Sequence, residues 1–184
     1  MTSNASSALH GNRSVPKRVR ARRFCLTFAM LAVVVAAAVA LLTAFIDPLQ
    51  FYHKATWYNA RFSTEERYQN PGLAKNFDYD TIIIGTSMTQ NFVPSEVGEL
   101  LGGTAMKLSM EGSISEEHHL VANLALGTGK VKKVLWGLDY FSLKSKSADS
   151  TYEIPEYMYD NKWWNDYPYW FNYTAYEQFF KSVV

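Results

Sequence analysis

The stretch Asp80-Thr-Ile-Ile-Ile-Gly-Thr-Ser-Met-Thr-Gln-Asn-Phe-Val-Pro94 says most about how this chain folds. Four strand-forming residues, Thr81 to Ile84, run into Gly85, and a hydroxyl group follows at Ser87. A β-branched apolar run of this length that ends at a glycine is typical of a buried strand in a parallel sheet. Ligands bind at the carboxyl ends of the strands in an open α/β sheet, so Ser87 is expected where such folds place their chemistry.

A regular alternation of elements surrounds this stretch. The sequence predicts strands over 81–85, 104–110 and 131–138, and helices over 94–101 and 115–127. Pro94 suits the first turn of a helix, and Ser115 is interpreted as the N-cap of the second helix. The order strand, helix, strand, helix, strand predicts an α/β fold with right-handed crossovers and a parallel sheet covered by helices.

Charge divides the chain into a basic N-terminal part and an acidic remainder. Of 184 residues, 48% are apolar and 19% charged, which suits one folded domain, and the single Cys25 excludes an internal disulfide. Residues 1–46 hold six basic residues and no acidic one, so 12 of the 18 basic and all 17 acidic residues lie beyond them. A basic run can indicate nucleic-acid binding, but the sequence that follows it favours a membrane.

An uncharged apolar run of 23 residues, 24–46, predicts a transmembrane helix. The basic residues before it predict a cytoplasmic N-terminus and an extracytoplasmic body from residue 47 onward. A cleaved signal peptide is the alternative, since the small residues 36–40 leave cleavage open, although such apolar regions are normally about 7–15 residues long. The predicted organisation is a basic cytoplasmic tail (1–23), the helix (24–46), a connector (47–79), a βαβαβ core (80–150) and an aromatic-rich segment (151–184).

The aromatic-rich segment has three interpretations. Thirteen aromatic residues fall within positions 152–180, among them Trp163, Trp164 and Trp170. They can stack on sugars, cover the sheet or pack on another part of the protein, or lie in a lipid interface. The apolar cover is the interpretation that we prefer from the sequence.

The run Ile84-Gly85-Thr86-Ser87 after a strand resembles the first sequence block of the SGNH (GDSL-type) hydrolase superfamily. More narrowly, the chain resembles the membrane-anchored SGNH-like proteins of bacterial cell-envelope polysaccharide systems, including alginate O-acetyltransferase-like and teichoic-acid D-alanylation proteins. The similarity runs from about residue 40 to about residue 175 and includes 137–141 and 165–167. It implies a partial, flavodoxin-like three-layer domain and O-acyl transfer or ester hydrolysis on a cell-envelope polysaccharide.

The resemblance also implies a role for three residues. Ser87 matches the nucleophile, and Gly112 falls where the family places its oxyanion-hole glycine. Asp139 lies near the position of an asparagine in the third block, but an ionised aspartate cannot donate a hydrogen bond. Thr86 replaces the aspartate of the GDS form. The alternatives are that Ser87 satisfies the backbone of its turn and that Gly112 is an ordinary turn glycine.

The catalytic base of this family, in an Asp-x-x-His motif, has no counterpart in the sequence. The histidines are His10, His53, His118 and His119, and the last two are adjacent on a predicted helix and therefore face different directions. The chain is accordingly interpreted as the N-terminal part of a longer protein or as an inactive relative. The alternative function is a non-catalytic, membrane-tethered binding or scaffold protein of a polysaccharide assembly system.

The expected partners are a cell-envelope polysaccharide or its assembly machinery and a membrane crossed by one helix, with no nucleic acid. No cofactor or metal is expected, because the sequence has neither a phosphate-binding glycine loop nor a cluster with metal-ligand spacing.

Overall fold

A long apolar helix, α1, spans Lys17–Ile46. The computed structural model describes residues 17–143 and 153–183, so the tail up to residue 16 and the predicted boundary at residue 150 lie outside the described residues. Within the described ranges, residues 20–46 are the one helix long and apolar enough to cross a membrane, with a mean hydropathy of 2.7. The residues through Ala38 and those from Val39 onward form two separate compact units.

The second unit is built on a small parallel sheet. Its helices and strands are α2 (Glu66–Asn76), β1 (Thr81–Ile84), α3 (Pro94–Leu101), β2 (Ala105–Lys107), α4 (Ser115–Gly127), β3 (Lys133–Trp136), α5 (Tyr167–Trp170) and α6 (Tyr173–Val183). Short 3-10 helices occupy Ser87–Asn91, Tyr140–Leu143, Glu156–Tyr159 and Trp163–Asn165. Among the described residues the sheet has the order β2-β1-β3, with both outer strands parallel to β1. The predicted α/β class and parallel sheet are confirmed.

The sequence located the helices better than the strands. Helices α3 and α4 have the predicted bounds, but β2 and β3 are shorter than the predicted 104–110 and 131–138. The prediction that Ser115 caps α4 is wrong. Ser115 is the first helical residue, Ile114 precedes it in extended conformation, and the Glu117 carboxylate accepts the Ile114 N–H at 3.2 Å. Glu117 therefore takes the capping role from within the first turn.

Helices cover both faces of the sheet because successive residues of β1 point to opposite sides. Ile83 packs with Val97 of α3 on one face. Ile82 and Ile84 pack with Val121 of α4 and with residues of α2 on the other. All three isoleucines are fully buried, so β1 is the centre of both cores. Helices on opposite faces are what two right-handed crossovers require for the strand order β2-β1-β3.

The segment 47–79, interpreted from the sequence as a connector, contributes directly to the core. Leu49 and Phe51 are buried in the cluster on the α4 side of the sheet. Helix α2 packs on α4 through a buried, bidentate ion pair, in which Arg67 Nε lies 2.8 Å from Glu117 Oε1 and Arg67 Nη2 lies 2.9 Å from Oε2. The domain therefore begins at the end of α1, well before the first strand.

Asp47 organises the chain where α1 ends. Its carboxylate is fully buried and accepts the N–H groups of Phe51, Tyr52 and His53 at 2.7–2.9 Å. It also accepts the Tyr169 hydroxyl at 2.5 Å, which joins this loop to α5. Burial raises the pKa of Asp47, and the four donors act in the opposite direction.

Replacing this carboxylate tests its structural role. Asp47→Asn is expected to destabilise the domain by about 2–4 kcal/mol, because the amide turns one of two accepting oxygens into a donor that faces other donors. Urea unfolding in detergent micelles measures the change. Asp78→Asn is the matched control, since that carboxylate is 91% exposed and forms a surface ion pair with Lys54, and it is expected to have little effect. Equal effects of the two substitutions would contradict the assignment.

Candidate functional site

The carboxyl ends of the three strands converge at one edge of the sheet. Beyond β2, Met110 N–H donates to Gly85 O at 3.0 Å, and beyond β3, Gly137 N–H donates to Ile84 O at 2.9 Å. The loops that carry Ser87, Gly112 and Asp139 therefore leave the sheet side by side. The structure brings the three sequence-predicted residues to one edge, while their catalytic roles stay predictions.

Two glycines allow the first of these loops to fold back on the strand ends. A Cβ atom at Gly137 would lie 2.2 Å from Thr89 Cγ2, and one at Gly85 would lie 2.6 Å from the same methyl group. Gly85 also has a φ of +149°, which side chains disfavour. Thr89 Oγ1 donates to Thr86 O at 2.8 Å and lies 2.7 Å from Ser109 Oγ. We call this arrangement of Gly85, Thr89 and Gly137 the glycine clasp.

Ser87 is the first residue of the 3-10 helix that the clasp holds, and its side chain is exposed. Thr86 caps that helix: its hydroxyl accepts the Met88 N–H at 3.4 Å and donates to Asp139 Oδ2. Within the part of the chain that the structure describes, no hydrogen bond involves Ser87 Oγ. The backbone of the turn is thus satisfied by Thr86 and Thr89, which leaves the Ser87 hydroxyl free for a ligand or substrate.

Asp139 and Gly112 have clear structural roles at the same edge. Asp139 is half-buried and accepts the Thr86 hydroxyl, so its carboxylate ties the β3 loop to the Ser87 turn. An ionised carboxylate only accepts hydrogen bonds, so it cannot serve as a donor in an oxyanion hole. Gly112 is exposed in the turn after β2 and has a φ of +59°, a conformation that favours glycine. Its turn conformation alone accounts for the residue type.

His118 is fully buried, and both of its ring nitrogens are hydrogen-bonded. The Trp136 indole N–H donates to Nδ1 at 3.1 Å, so Nδ1 carries no proton. The neutral ring therefore carries its proton on Nε2 and donates it to Ser113 Oγ at 2.7 Å, and Ser113 Oγ donates to Met110 O at 2.7 Å. Burial lowers the pKa of His118. This histidine holds the loop after β2 against β3 and has no free nitrogen for Ser87.

The other described histidines also have partners away from Ser87. His119 is exposed and lies 2.8 Å from Asn123 Nδ2 on the same helix. His53 Nδ1 lies 3.2 Å from Lys54 O, in the loop after α1. Neither contacts Ser87, so the described residues present a serine without a histidine base.

Glu66 is a site residue that the sequence analysis missed. Its Oε2 accepts the Glu111 N–H at 2.6 Å, and its Oε1 accepts the Gln90 side-chain amide. Glu66 therefore bridges the 3-10 helix of Ser87 and the turn of Gly112. Burial raises the pKa of Glu66, and the nearby charge of Glu111 adds to this. Nothing in the local sequence marks this residue, because both contacts join segments that are distant along the chain.

Neither a metal site nor a relative identifies the function. In the described ranges, no group of three or more His, Cys, Asp or Glu residues is arranged to hold a metal ion. Comparison of the chain with protein families, with curated proteins and with solved structures finds no match. The residues of the sheet edge are therefore the basis for assigning a function.

The His118 network predicts a specific pH dependence of stability. The pKa of His118 in the folded chain lies below its unfolded value of 6.5. As the pH falls, His118 therefore takes up a proton in the unfolded chain before it does so in the folded chain. Stability from this group is complete above pH 6.5 and is lost below it, by at most about 1.4 kcal/mol per pH unit, until the folded pKa is reached.

Urea unfolding between pH 8 and pH 5 measures this loss, to which His118 contributes the uptake of at most about one proton on unfolding. His118→Gln is expected to flatten the dependence, and His119→Gln, its exposed neighbour, is expected to keep it. An unchanged dependence in His118→Gln would show that the buried imidazole is not responsible.

Proposed function

We propose that this chain is a membrane-anchored, extracytoplasmic SGNH-like protein concerned with O-acyl transfer or ester hydrolysis on a cell-envelope polysaccharide. In this proposal Ser87 is the nucleophile, and Gly112 helps to hold the oxyanion that forms during acyl transfer. The helix α1 is the anchor, with its basic flank in the cytoplasm. The specific SGNH-type fold is part of this proposal and extends the observed three-stranded α/β arrangement.

The observation that carries the proposal is the exposed and unbonded hydroxyl of Ser87 at the carboxyl end of the central strand. In an open parallel sheet this is the edge where ligands bind. The glycine clasp and the Thr86–Asp139 hydrogen bond fix the turn without using Ser87. The Ser87 hydroxyl is therefore accessible and takes no part in holding the turn. A nucleophile needs this combination of exposure and fixed position.

Acyl transfer also requires an acceptor for the serine proton. His118 does not supply one, since its two nitrogens are engaged by Trp136 and Ser113. Among the described residues the proposed nucleophile has no histidine base, and we therefore expect low activity unless a base is added. General-base assistance contributes roughly 10²–10⁴-fold to such reactions.

The second candidate is a non-catalytic binding or scaffold protein of the same polysaccharide system. The observation in its favour is the exposed pair Trp163 and Trp164, which are 76% and 64% exposed with ring centroids 6.4 Å apart. Exposed aromatic faces of this kind are typical of interaction surfaces. Because both nitrogens of His118 are hydrogen-bonded, this residue is not free to act as a base, which also favours a non-catalytic role.

Acetylation of Ser87 by p-nitrophenyl acetate in the presence of imidazole separates the two candidates. The Ser87 oxygen attacks the acetyl carbonyl, p-nitrophenolate leaves, and imidazole takes the serine proton. Intact-protein mass spectrometry with peptide mapping is expected to find one acetyl group on Ser87, formed about tenfold or more faster with imidazole than without it. Ser87→Ala is expected to lose this adduct.

Ser95→Ala is the matched control, because Ser95 is an exposed serine in the first turn of α3. It is expected to acetylate at Ser87 like the wild type. Equal acetylation of wild type and Ser87→Ala, or no adduct on Ser87 in the wild type, would reject the nucleophile and leave the binding role.

A further inference from the structure

The last turn of α1 is part of the packed domain that starts at Val39. Thr43 and Ile46 are each only 6% exposed. The Tyr58 hydroxyl lies 3.2 Å from Ile46 O and 3.1 Å from Asp47 O, so it satisfies carbonyl groups at the helix end. Together with the bonds of Asp47, these contacts leave no flexible linker between the end of the helix and the residues that follow.

Large aromatic side chains remain exposed beside this helix end. Phe45, in the last turn, is 68% exposed, and its ring lies 6.1 Å from that of Trp57, which is 55% exposed. Tyr52 is 37% exposed, and its N–H group is held by Asp47. Its hydroxyl accepts the Trp170 indole N–H at 3.1 Å. We call Phe45, Tyr52 and Trp57 the aromatic collar.

The collar lies where the apolar part of α1 ends. About 20 residues of helix cross the hydrocarbon core of a bilayer, and the uncharged run 24–46 is only slightly longer. If this run spans the membrane, Phe45 and the Trp57 ring beside it fall at the boundary between acyl chains and headgroups. Trp and Tyr are enriched at this boundary, because each combines an apolar ring with a polar group that stays hydrated.

We propose that the aromatic collar lies in the headgroup layer of the bilayer that α1 spans, so that lipid covers Phe45, Tyr52 and Trp57. The contacts of Tyr58 and Asp47 hold the collar residues beside the last turn of α1, which belongs to the same packed unit. Within the described residues Trp57 Nε1 has no hydrogen-bond acceptor, which leaves it free to donate to a lipid ester or phosphate group. The inference rests on the membrane anchor in the proposed function and is independent of Ser87.

Quenching of tryptophan fluorescence by brominated lipids tests the collar. The full chain is reconstituted into phosphatidylcholine vesicles with bromine near the ester end or near the methyl end of the acyl chains. The wild type is expected to be quenched more by bromine near the ester end, and Trp57→Phe is expected to lose most of this quenching. Trp163→Phe is the matched control, because Trp163 is also exposed, at 76%, and it is expected to keep the quenching.

Extraction of the vesicles with alkaline carbonate separates failure of the anchor from failure of the collar. A protein released by carbonate would overturn both. A retained protein whose quenching is unchanged by Trp57→Phe would overturn the collar alone and would indicate that a protein partner or water covers these rings. A retained protein that loses its quenching in Trp57→Phe but not in Trp163→Phe supports the proposal.

Discussion

The methyl group of Thr89 packs against Gly85 and Gly137, and the candidate site depends on this contact. At either glycine a Cβ atom would lie closer to Thr89 Cγ2 than van der Waals contact permits. The clasp therefore lets the turn after β1 fold onto the ends of β1 and β3. As a result Ser87 begins a fixed 3-10 helix at the edge of the sheet, and Thr86 reaches the carboxylate of Asp139.

Among the described residues, several polar groups of this edge hold the loops, whereas the Ser87 hydroxyl does not. Thr86, Thr89 and Asp139 fix the turn that carries Ser87, while His118 and Ser113 fix the loop after β2. Buried polar groups are costly unless they are paired, so these bonds keep the loops in one arrangement. The Ser87 hydroxyl takes no part in them, and this contrast is the main argument for a chemical or binding role.

Local sequence signals predicted β1, α3, β2, α4 and β3 but not α5 or α6. Long-range contacts explain other features that the sequence did not predict. Pro94 and the glycines after residue 101 set the bounds of α3, and the β-branched run of β1 marked the central strand. Glu66 was not predicted as part of the site, because its partners belong to loops distant along the chain. The contribution of Leu49 and Phe51 to the core was missed for a similar reason: residues 47–55 have no periodicity, and the Asp47 carboxylate and contacts with α2 organise them.

The measurement that tests the clasp most directly is amide hydrogen exchange, resolved by residue, in Gly137→Ala and Gly127→Ala. Gly127 ends α4, and a Cβ atom there meets nothing within 4 Å, so this variant controls for the substitution itself. Gly137→Ala is predicted to speed exchange of the Thr89 amide, which donates to Thr86 O at 3.0 Å, while the Phe51 amide held by Asp47 stays protected. Unchanged protection of Thr89 in Gly137→Ala would show that the glycine clasp does not hold the Ser87 turn.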